Sequence, residues 1–244
     1  NSGKTKAIPS EDGSHYLING QKMWITNGGF AHIFVVFAKI EDDKNLSAFI
    51  VEKESVGFTA SPVRNKMGLR TVPIGELEFK DCFVPQENLV GTEGSGFSMM
   101  SHSMEYDRAC ILASQLGAMD RQLEETITFV KNRKQFDQPI GKFQAVSNRI
   151  AEMRLRLETC RLLMYKVAWL KDKGESAMLE AAMLKLHLGE SFVQSSMDAI
   201  RCRGGNGYLT EFEIERDMRD AVGSVLYAGT SDIQKNVIAS ILGL

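Results

Sequence analysis

The chain has 244 residues, of which 43% are hydrophobic and 25% are charged, as is typical of a folded protein with one large domain or two ordinary ones. The net charge is −2, with Lys and Arg scattered among Asp and Glu, so the sequence offers no basic face for nucleic acid. No apolar stretch approaches the roughly 18 residues of a membrane span, and the first residues do not form a signal peptide. These features predict a cytoplasmic protein, or one of the mitochondrial matrix in a eukaryote.

The first part of the chain, up to about residue 92, has the character of β-strands. Six short runs are rich in β-branched and aromatic residues and end in Gly, Pro, Asn or Asp: HYLING, KMWIT, HIFVVFAKI, LSAFIVEK, GFTASPV and IGELEFKDCFV. Strands at this spacing indicate a small antiparallel barrel or sandwich. Hairpins attached to a larger fold are the alternative, but the apolar residues here are sufficient to fill a core.

From about residue 96 the apolar residues recur three and four apart, which predicts amphipathic helices. Turns as short as KDKGES join them, so we expect antiparallel neighbours in a helical bundle. The glycine-rich stretch VGTEGSGF separates the two parts. The predicted fold is therefore α+β, with an antiparallel barrel or sandwich over residues 1–94 and a helical bundle over residues 95–244. The helices are expected near 97–130, 142–172, 175–202 and 226–242, with a short one near 213–222.

Cysteine and histidine give no sign of a metal site or a disulfide. The cysteines form no C-x-x-C pair, so we expect buried thiols in a reducing compartment at Cys82, Cys110, Cys160 and Cys202. The four histidines share no motif, and no P-loop, Rossmann fingerprint, H-E-x-x-H or G-x-S-x-G occurs. The sequence thus predicts no metal and no Ser/His/Asp triad.

Four stretches contain polar residues or glycines that packing alone does not require: MWITNGG, NRKQFDQPIGKFQ, RCRGGNGYL and YAGTSDIQ. In the first, Trp24 stands at a strand end beside Thr26, which can hydrogen-bond a planar heterocycle; ordinary packing of the indole is the alternative. The second stretch, taken alone, is most simply a solvated loop between helices.

The third and fourth stretches lie at helix ends. One glycine after a helix suits an ordinary C-cap, but three in four residues indicate a backbone that a ligand approaches closely. In the fourth, Thr230 or Ser231 is the predicted N-cap, and N–H groups there suit a phosphate or a ring carbonyl. A plain capping turn is the alternative.

The stretch MEYDR places two carboxylates and an arginine ahead of small and apolar residues. Glu105 and Asp107 are two residues apart, about 200° around a helix, so both cannot face one pocket. One of them is a candidate for chemistry beside Arg108, and the other supports the fold or meets solvent. A charged first turn that favours the helix dipole is the alternative.

In this order and at these separations, the stretches resemble the acyl-CoA dehydrogenase family of flavoproteins. The resemblance runs from about residue 12 to the end, through GQKMWITNGG, ELEFKDCFVPQENLVGTEGSGF, RKQFDQPIGKFQ, RCRGGNGYLTEF, MRDA and YAGTSDIQ. It implies an N-terminal helical domain, a middle β-barrel and a C-terminal four-helix bundle. Only the last two are recognised here, and the sequence enters strand material without a start signal, as though a domain preceded it.

The resemblance also implies FAD as cofactor, in a homotetramer whose subunits complete one another's flavin sites. Its substrate would be an acyl-CoA or an acyl carrier protein, and electrons would pass to an electron-transfer flavoprotein or to oxygen. By motif match, Trp24, Ile25 and Thr26 would contact the flavin ring, while Thr230, Ser231 and Asp232 would hold its phosphates and adenosine part. The residues that would reach a partner subunit's FAD are Arg133, Gln135, Phe136, Gln144, Arg201, Gly204 and Gly205.

The family reaction is an α,β-desaturation of an acyl thioester in which a carboxylate removes the α proton. Many members carry that glutamate in Y-E-G-T, but this chain has Tyr227, Ala228 and Gly229 before Thr230. The resemblance to isovaleryl-CoA dehydrogenase and its relatives, with a helix-borne base ahead of an arginine, assigns the base to Asp107, before Arg108. Glu105 would then hold the pantetheine arm, Arg108 would lie on the substrate side, and the Ala228 N–H would donate to the thioester carbonyl.

Three possibilities for the base stay open: Asp107, Glu105 with an altered helical register, or none, in which case the chain would be a non-catalytic scaffold. A base on the helix goes, in these relatives, with short branched or cyclic acyl groups. The resemblance extends to members that oxidise aminoacyl groups such as prolyl on a carrier protein, often with oxygen. Arg201, where many relatives carry Gln, would add positive charge near the partner-facing flavin site.

Overall fold

The computed structural model describes residues 4–41, 43–63 and 65–244 and divides into two compact units. The sheet unit comprises Asn1–Lys66 and Arg70–Ser103, and the helical unit comprises Met67–Leu69 and Met104–Leu244. The first turns of the helix that begins at Gly96 belong to the sheet unit, where the Gly96 N–H donates to the carbonyl of Leu46 at 2.7 Å. The domain boundary after residue 94 stays a prediction.

The sheet unit contains one seven-stranded sheet in the order β5-β6-β2-β1-β3-β4-β7. All neighbours are antiparallel except β1 and β3, which pair in parallel, so the antiparallel prediction was wrong for that pair. The pairing found among the described residues is an open order of strands, and closure into a barrel stays a prediction. The strands are β1 (Lys6–Pro9), β2 (His15–Thr26), β3 (Ile33–Ile40), β4 (Ser47–Glu52), β5 (Phe58–Val63), β6 (Ile74–Pro85) and β7 (Leu89–Val90).

Alternation along these strands buries one face around Ile18, Phe49 and Phe79. The runs HYLING and KMWIT, predicted as separate strands, form the single strand β2, whose pairing with β6 shifts twice. At the first shift, Gly20 has φ +143°, and a Cβ there would lie 2.8 Å from the Cα of Thr5. The glycine therefore lets β1 approach a continuous but bulged strand.

The helical unit confirms the predicted helices to within a few residues, apart from the last. That helix begins at Ser231 instead of 226, because Ala228 (φ 52°) and Gly229 (φ 88°) hold the preceding turn in left-handed conformations. A hairpin that the sequence did not predict joins α1 to α2. The elements are α1 (Gly96–Asn132), β8 (Lys134–Gln135), β9 (Gln138–Pro139), α2 (Gln144–Asp172), α3 (Met178–Arg203), α4 (Ile214–Ser224) and α5 (Ser231–Ile241).

Two side-chain contacts fix α1 against α3. Glu105 accepts a hydrogen bond from the Ala177 N–H, and seventeen residues further along α1, Gln122 Nε2 donates to Ser196 Oγ at 3.1 Å. Because both sequence numbers increase together, the two helices run in the same direction. Between the contacts, leucines such as Leu112 and Leu188 form the core.

Three of the four cysteines, Cys82, Cys160 and Cys202, are buried as predicted, and all four are unpaired. Burial raises the pKa of Cys82 and of Cys160 to about 11. Cys110 is exposed, so its predicted burial was wrong; it lies two residues, about 200°, from the buried Leu112 on α1. Within the described ranges, no cluster of three or more potential ligands suits a metal ion, and none of the helices is long and apolar enough to cross a membrane.

Candidate active site

Trp24 occupies a β-bulge that turns its indole outward. Lys22 pairs with Leu77 and Ile25 with Gly75, so β2 contains one extra residue here, and Trp24 takes φ 60°. The indole is 64% exposed, and Thr26, at the end of β2, is also exposed. The side chain of Ile25 instead packs against the core of the sheet unit. The sheet unit therefore presents Trp24 and Thr26 as the accessible side chains of this motif.

Glu105 lies in the third turn of α1 and is buried, which contradicts the alternative of a solvated first turn. Its carboxylate accepts a hydrogen bond from the Ala177 N–H and pairs with Lys171 Nζ of α2 at 3.3 Å. Ala177 precedes α3, which has no capping side chain of its own. The carboxylate of Glu105 is thus engaged in joining three helices.

Asp107, two residues further on, faces away from that contact. It is exposed and makes no ion pair with the part of the chain that the structure describes. The next residue, Arg108, is only 9% exposed, and its buried Nε finds no hydrogen-bond partner among the described residues. Burial lowers the pKa of Arg108, and the charge of Asp107 opposes that shift. An accessible carboxylate therefore stands beside a cation with few protein partners.

A second buried cation lies near Arg108. Lys185 of α3 is completely buried, and its Nζ has no hydrogen-bond partner among the described residues. Burial lowers the pKa of Lys185 to about 8; the charge of Glu190 raises this pKa and the charge of Arg108 lowers it. This residue could not be predicted from the sequence, because a lysine on an amphipathic helix normally faces solvent.

The loop before α5 is held in shape by Gln234. This buried residue donates through Nε2 to the carbonyls of Ala228 (3.1 Å) and Gly229 (3.0 Å). No acceptor for the Ala228 N–H is found in the described chain, so this donor is available to a ligand. Beside it, Tyr227 is partly buried, and burial together with Asp220 raises its pKa to about 12.

Thr230 is the N-cap of α5, as predicted: its Oγ1 accepts from the Ile233 N–H at 3.3 Å. Ser231 donates to Glu190 Oε1 at 2.6 Å, and Asp232 pairs with Lys235 at 3.1 Å. The Ser231 N–H also donates within the chain, to the carbonyl of Val225. Much of the hydrogen-bonding capacity of this helix start is therefore used internally, and its predicted phosphate-binding role stays a prediction.

Most of the residues that the resemblance assigns to a partner subunit's FAD lie close together. A cavity of about 530 Å³ is lined by Arg133, Gln135, Phe136, Arg201, Gly204 and Gly205. Gln144, at the start of α2, is exposed but does not line it. The β8–β9 hairpin presents the first three of these residues: Ile140 N–H closes it on the carbonyl of Arg133 at 2.8 Å, and Phe136 (φ 51°) forms its turn with Asp137 (φ 59°).

The glycines after α3 leave the backbone accessible. A Cβ built at Gly204 or Gly205 would have no neighbour within 4 Å, whereas one at Gly207 would lie 2.6 Å from the carbonyl oxygen of Ile200. Packing within the chain therefore explains Gly207 but not Gly205. Open backbone beside arginines fits an extended anionic cofactor.

Two residues of this region were not predicted from the sequence. Arg203 also lines the cavity, with its guanidinium carbon 5.4 Å from the centre of the Phe129 ring and its Nε buried without a hydrogen-bond partner among the described residues. Asp198 lies behind the cavity wall and pairs with Arg201. The repeated arginine in RCR, and a carboxylate three residues before one of them, were the available signals.

Comparison with known proteins assigns both units to one family. Residues 1–82 match the acyl-CoA dehydrogenase middle domain, and residues 94–243 match the acyl-CoA dehydrogenase C-terminal domain. An L-prolyl-[peptidyl-carrier protein] dehydrogenase of Pseudomonas fluorescens is 43% identical over 244 residues, which cover 99% of this chain and 64% of that protein.

Two solved structures are similarly close. The prolyl acyl carrier protein oxidase AnaB is 44% identical with a TM-score of 0.95, over 99% of this chain and 64% of AnaB. PigA with FAD and proline is 40% identical with a TM-score of 0.95, over 99% of this chain and 63% of PigA. The chain thus spans slightly less than two thirds of these relatives. By the match of both domain models and by these identities, the chain belongs to the acyl-CoA dehydrogenase family.

Proposed function

We propose that the protein is an FAD-dependent dehydrogenase of a short, branched or cyclic acyl thioester, with Asp107 as the base. The carrying observation is the contrast between two neighbouring carboxylates: Asp107 is accessible and unpaired in the described chain, whereas Glu105 is buried and engaged. A general base must reach the proton it removes. This contrast supports Asp107 over Glu105 with an altered register.

In the proposed reaction, a carboxylate oxygen of Asp107 takes the α proton of the acyl thioester. The Ala228 N–H donates to the thioester carbonyl, where negative charge develops as the proton leaves. Gln234 keeps this donor in place through its bonds to the loop carbonyls. Bound FAD supplies the acceptor for the hydride that leaves the β carbon. Arg108, the residue after Asp107 on α1, places a positive charge beside this carboxylate.

The side chain of Asp is one methylene shorter than that of Glu, the residue the family resemblance leads one to expect at a helix-borne base. Proton transfer is sensitive to geometry, so the substrate must approach α1 more closely. A compact acyl group meets that requirement better than a long one. Among compact groups, we favour a prolyl group on a carrier protein, because the relatives named above act on prolyl carrier proteins or bind proline.

For the cofactor, we propose that Trp24 and Thr26 contact the flavin of their own subunit, and that the 530 Å³ cavity receives part of a neighbour's FAD in a homotetramer. The exposed indole and the open Gly204–Gly205 backbone support this division. The electron acceptor is an electron-transfer flavoprotein or oxygen; peroxide formation in air during turnover distinguishes the two.

The test is anaerobic mixing of the full-length protein, loaded with FAD, with prolyl carrier protein or with short acyl-CoAs. Bleaching of the visible flavin absorption reports the proposed reaction. We expect Asp107→Asn to slow bleaching by roughly 10²- to 10⁴-fold without lowering FAD content. Glu105→Gln is expected to have a much smaller effect, and Asp120→Asn, the same change elsewhere on α1, none.

Equal bleaching by wild-type protein and Asp107→Asn would exclude Asp107 as the base. Bleaching with acyl-CoAs but not with prolyl carrier protein would move the substrate to the CoA class. If the protein binds FAD but no thioester bleaches the flavin, the protein would be a non-catalytic scaffold.

A further inference from the structure

Asp198 on α3 is a buried carboxylate surrounded by three arginines. Its Oδ2 accepts from Arg156 Nη2 at 2.9 Å, and its Oδ1 lies 3.4 Å from Arg201 Nη1 and 3.6 Å from Arg149 Nη1. The carboxyl side chain is 5% exposed. One carboxylate cannot neutralise three guanidiniums, so this cluster keeps an excess of positive charge.

This cluster reaches the wall of the cavity through one of its arginines. Arg201 lines the cavity together with Arg133 and Arg203. Glu152 offsets part of the charge of Arg156, with which it pairs at 3.0 Å, and Glu125 does the same for Arg203 at 3.8 Å. Glu125 is also shared with Arg121, whose charge Asp217 balances. The count leaves two positive charges. It sets the guanidiniums of Arg133, Arg149, Arg156, Arg201 and Arg203 against the carboxylates of Asp198, Glu152 and Glu125.

Arg201 would be poorly ordered without Asp198. Its side chain is 53% exposed, and Asp198, three residues earlier on the same helix, is the carboxylate with which it pairs. A long exposed arginine loses several rotamers when it binds an anion, and that loss weakens binding unless the side chain is already held. An ion pair from the buried side of the helix supplies such restraint and leaves the outer nitrogens of the guanidinium for a ligand.

We propose that Asp198 is a positioning residue for cofactor binding: it holds Arg201 at the cavity wall, where two uncompensated positive charges match the dianionic diphosphate of FAD. This inference rests on the proposed function only in taking FAD as the occupant of the cavity. It does not depend on Asp107 or on the acyl substrate. Asp198 would thus contribute to cofactor binding although it does not itself line the cavity.

The proposal predicts a change in FAD affinity opposite in sign to the change expected from net charge alone. Asp198→Asn removes a negative charge, so simple attraction would tighten FAD binding. If Asp198 acts by holding Arg201, the same change weakens binding although the wall becomes more positive. Glu152→Gln is the matched control, since it adds the same charge beside Arg156 but does not touch Arg201.

The experiment measures the dissociation constant of FAD from the full-length apoprotein by flavin fluorescence, at low and at moderate ionic strength. We expect roughly ten- to hundredfold weaker binding in Asp198→Asn and in Arg201→Gln, as for the loss of a hydrogen bond to a charged group. Arg201→Gln should also have a smaller dependence on salt. Glu152→Gln should bind as tightly as wild type or slightly more tightly.

Unchanged or tighter binding by Asp198→Asn, in a protein with a wild-type circular dichroism spectrum, would overturn the proposal. If Asp198→Asn fails to fold, Arg201→Gln decides instead: binding equal to wild type at both salt concentrations would also overturn it. Wild-type protein that binds no FAD would refute the cofactor assignment itself. If the wild-type protein binds FAD but Asp107→Asn does not slow bleaching, this inference stands and Asp107 is excluded as the base.

Discussion

The carboxylate of Glu105 on α1 accepts a hydrogen bond from the backbone N–H of Ala177, the residue before α3. Alanine is a poor N-cap, because it has no side-chain acceptor for the free N–H groups of the first turn. Glu105 supplies that acceptor from 72 residues away in the chain, and its negative charge lies at the positive end of the helix dipole. Lys171 of α2 completes the contact.

Removal of Glu105 should therefore act on stability more than on chemistry. We expect Glu105→Ala to lower the free energy of unfolding by about 3 kcal/mol, because it leaves the Lys171 ammonium without its buried partner. Glu105→Gln keeps an acceptor for Ala177 but not the charge, and should cost about 1–2 kcal/mol. Urea unfolding measures both.

Glu124→Gln is the control for this series. It breaks an ion pair with Arg154 in which both side chains are largely exposed, so its effect should stay within about 0.5 kcal/mol. A loss in Glu105→Ala no larger than in this control would mean that Glu105 does not cap α3.

The buried ammonium of Lys185 should be a source of instability that a neutral side chain relieves. We expect Lys185→Met to raise the free energy of unfolding near pH 7 by roughly 1–3 kcal/mol, because a charge without hydrogen bonds is removed from the interior. Lys166→Met, at a half-exposed position on α2, should change it little.

The pH dependence of this effect has a definite sign. The pKa of Lys185 falls from 10.5 in the unfolded chain to about 8 in the folded protein, so between these values the unfolded state binds more protons. Wild-type stability should rise with pH across this window, and the advantage of Lys185→Met should shrink. An advantage independent of pH from 7 to 10.5 would contradict the lowered pKa.

Two glycines that follow α3, Gly205 and Gly207, lie two and four residues beyond its last residue and should respond differently to the same change. Gly207→Ala forces a Cβ against the carbonyl of Ile200 and should cost about 2 kcal/mol or more. Gly205→Ala meets open space, so we expect unchanged thermal stability but roughly tenfold weaker FAD binding, because the cofactor can no longer approach the backbone. Full FAD affinity in Gly205→Ala would remove this backbone from the site.

The cap of α5 gives a local test. Thr230→Ala removes the acceptor for the Ile233 N–H and should cost about 1 kcal/mol in thermal unfolding. Thr128→Ala, within α1, removes a hydroxyl that bonds back to the carbonyl of Glu124 and should be neutral or slightly stabilising. A Thr230→Ala protein as stable as wild type would show that the loop before α5, held by Gln234, suffices to start the helix.

The helices could be predicted from sequence because their signal is local. Apolar residues of α2 such as Met153 and Leu157 recur at helical spacing, and the core contains these positions. The short strands β1 and β7 could not be predicted, since they have four and two residues and are defined by distant partners in the sheet. The parallel pairing of β1 with β3 is equally non-local.

Residues of the candidate site could be predicted where they belong to a motif, but not where their importance comes from burial of a charge. The motifs predicted that Arg133, Phe136 and Gly204 belong to one site, and all three line the same cavity. Asp198 and Lys185 were missed because each lies in a helix whose composition looks amphipathic, and only tertiary packing shows that their charges are inside. The proposal of Asp107 over Glu105 likewise depends on the contact of Glu105 with the residue before α3.

The hydrogen bonds from Gln234 to the carbonyls of Ala228 and Gly229 have a consequence for the proposed reaction. The shape of this loop is encoded by a side chain of the following helix and not by residue 228, whose own side chain is a methyl group. Different side chains at position 228 can therefore be tolerated, because Gln234 keeps the loop backbone, and with it the Ala228 N–H, in the same conformation. An Ala228→Glu substitution would test whether the proposed base can act from this loop as well as from α1.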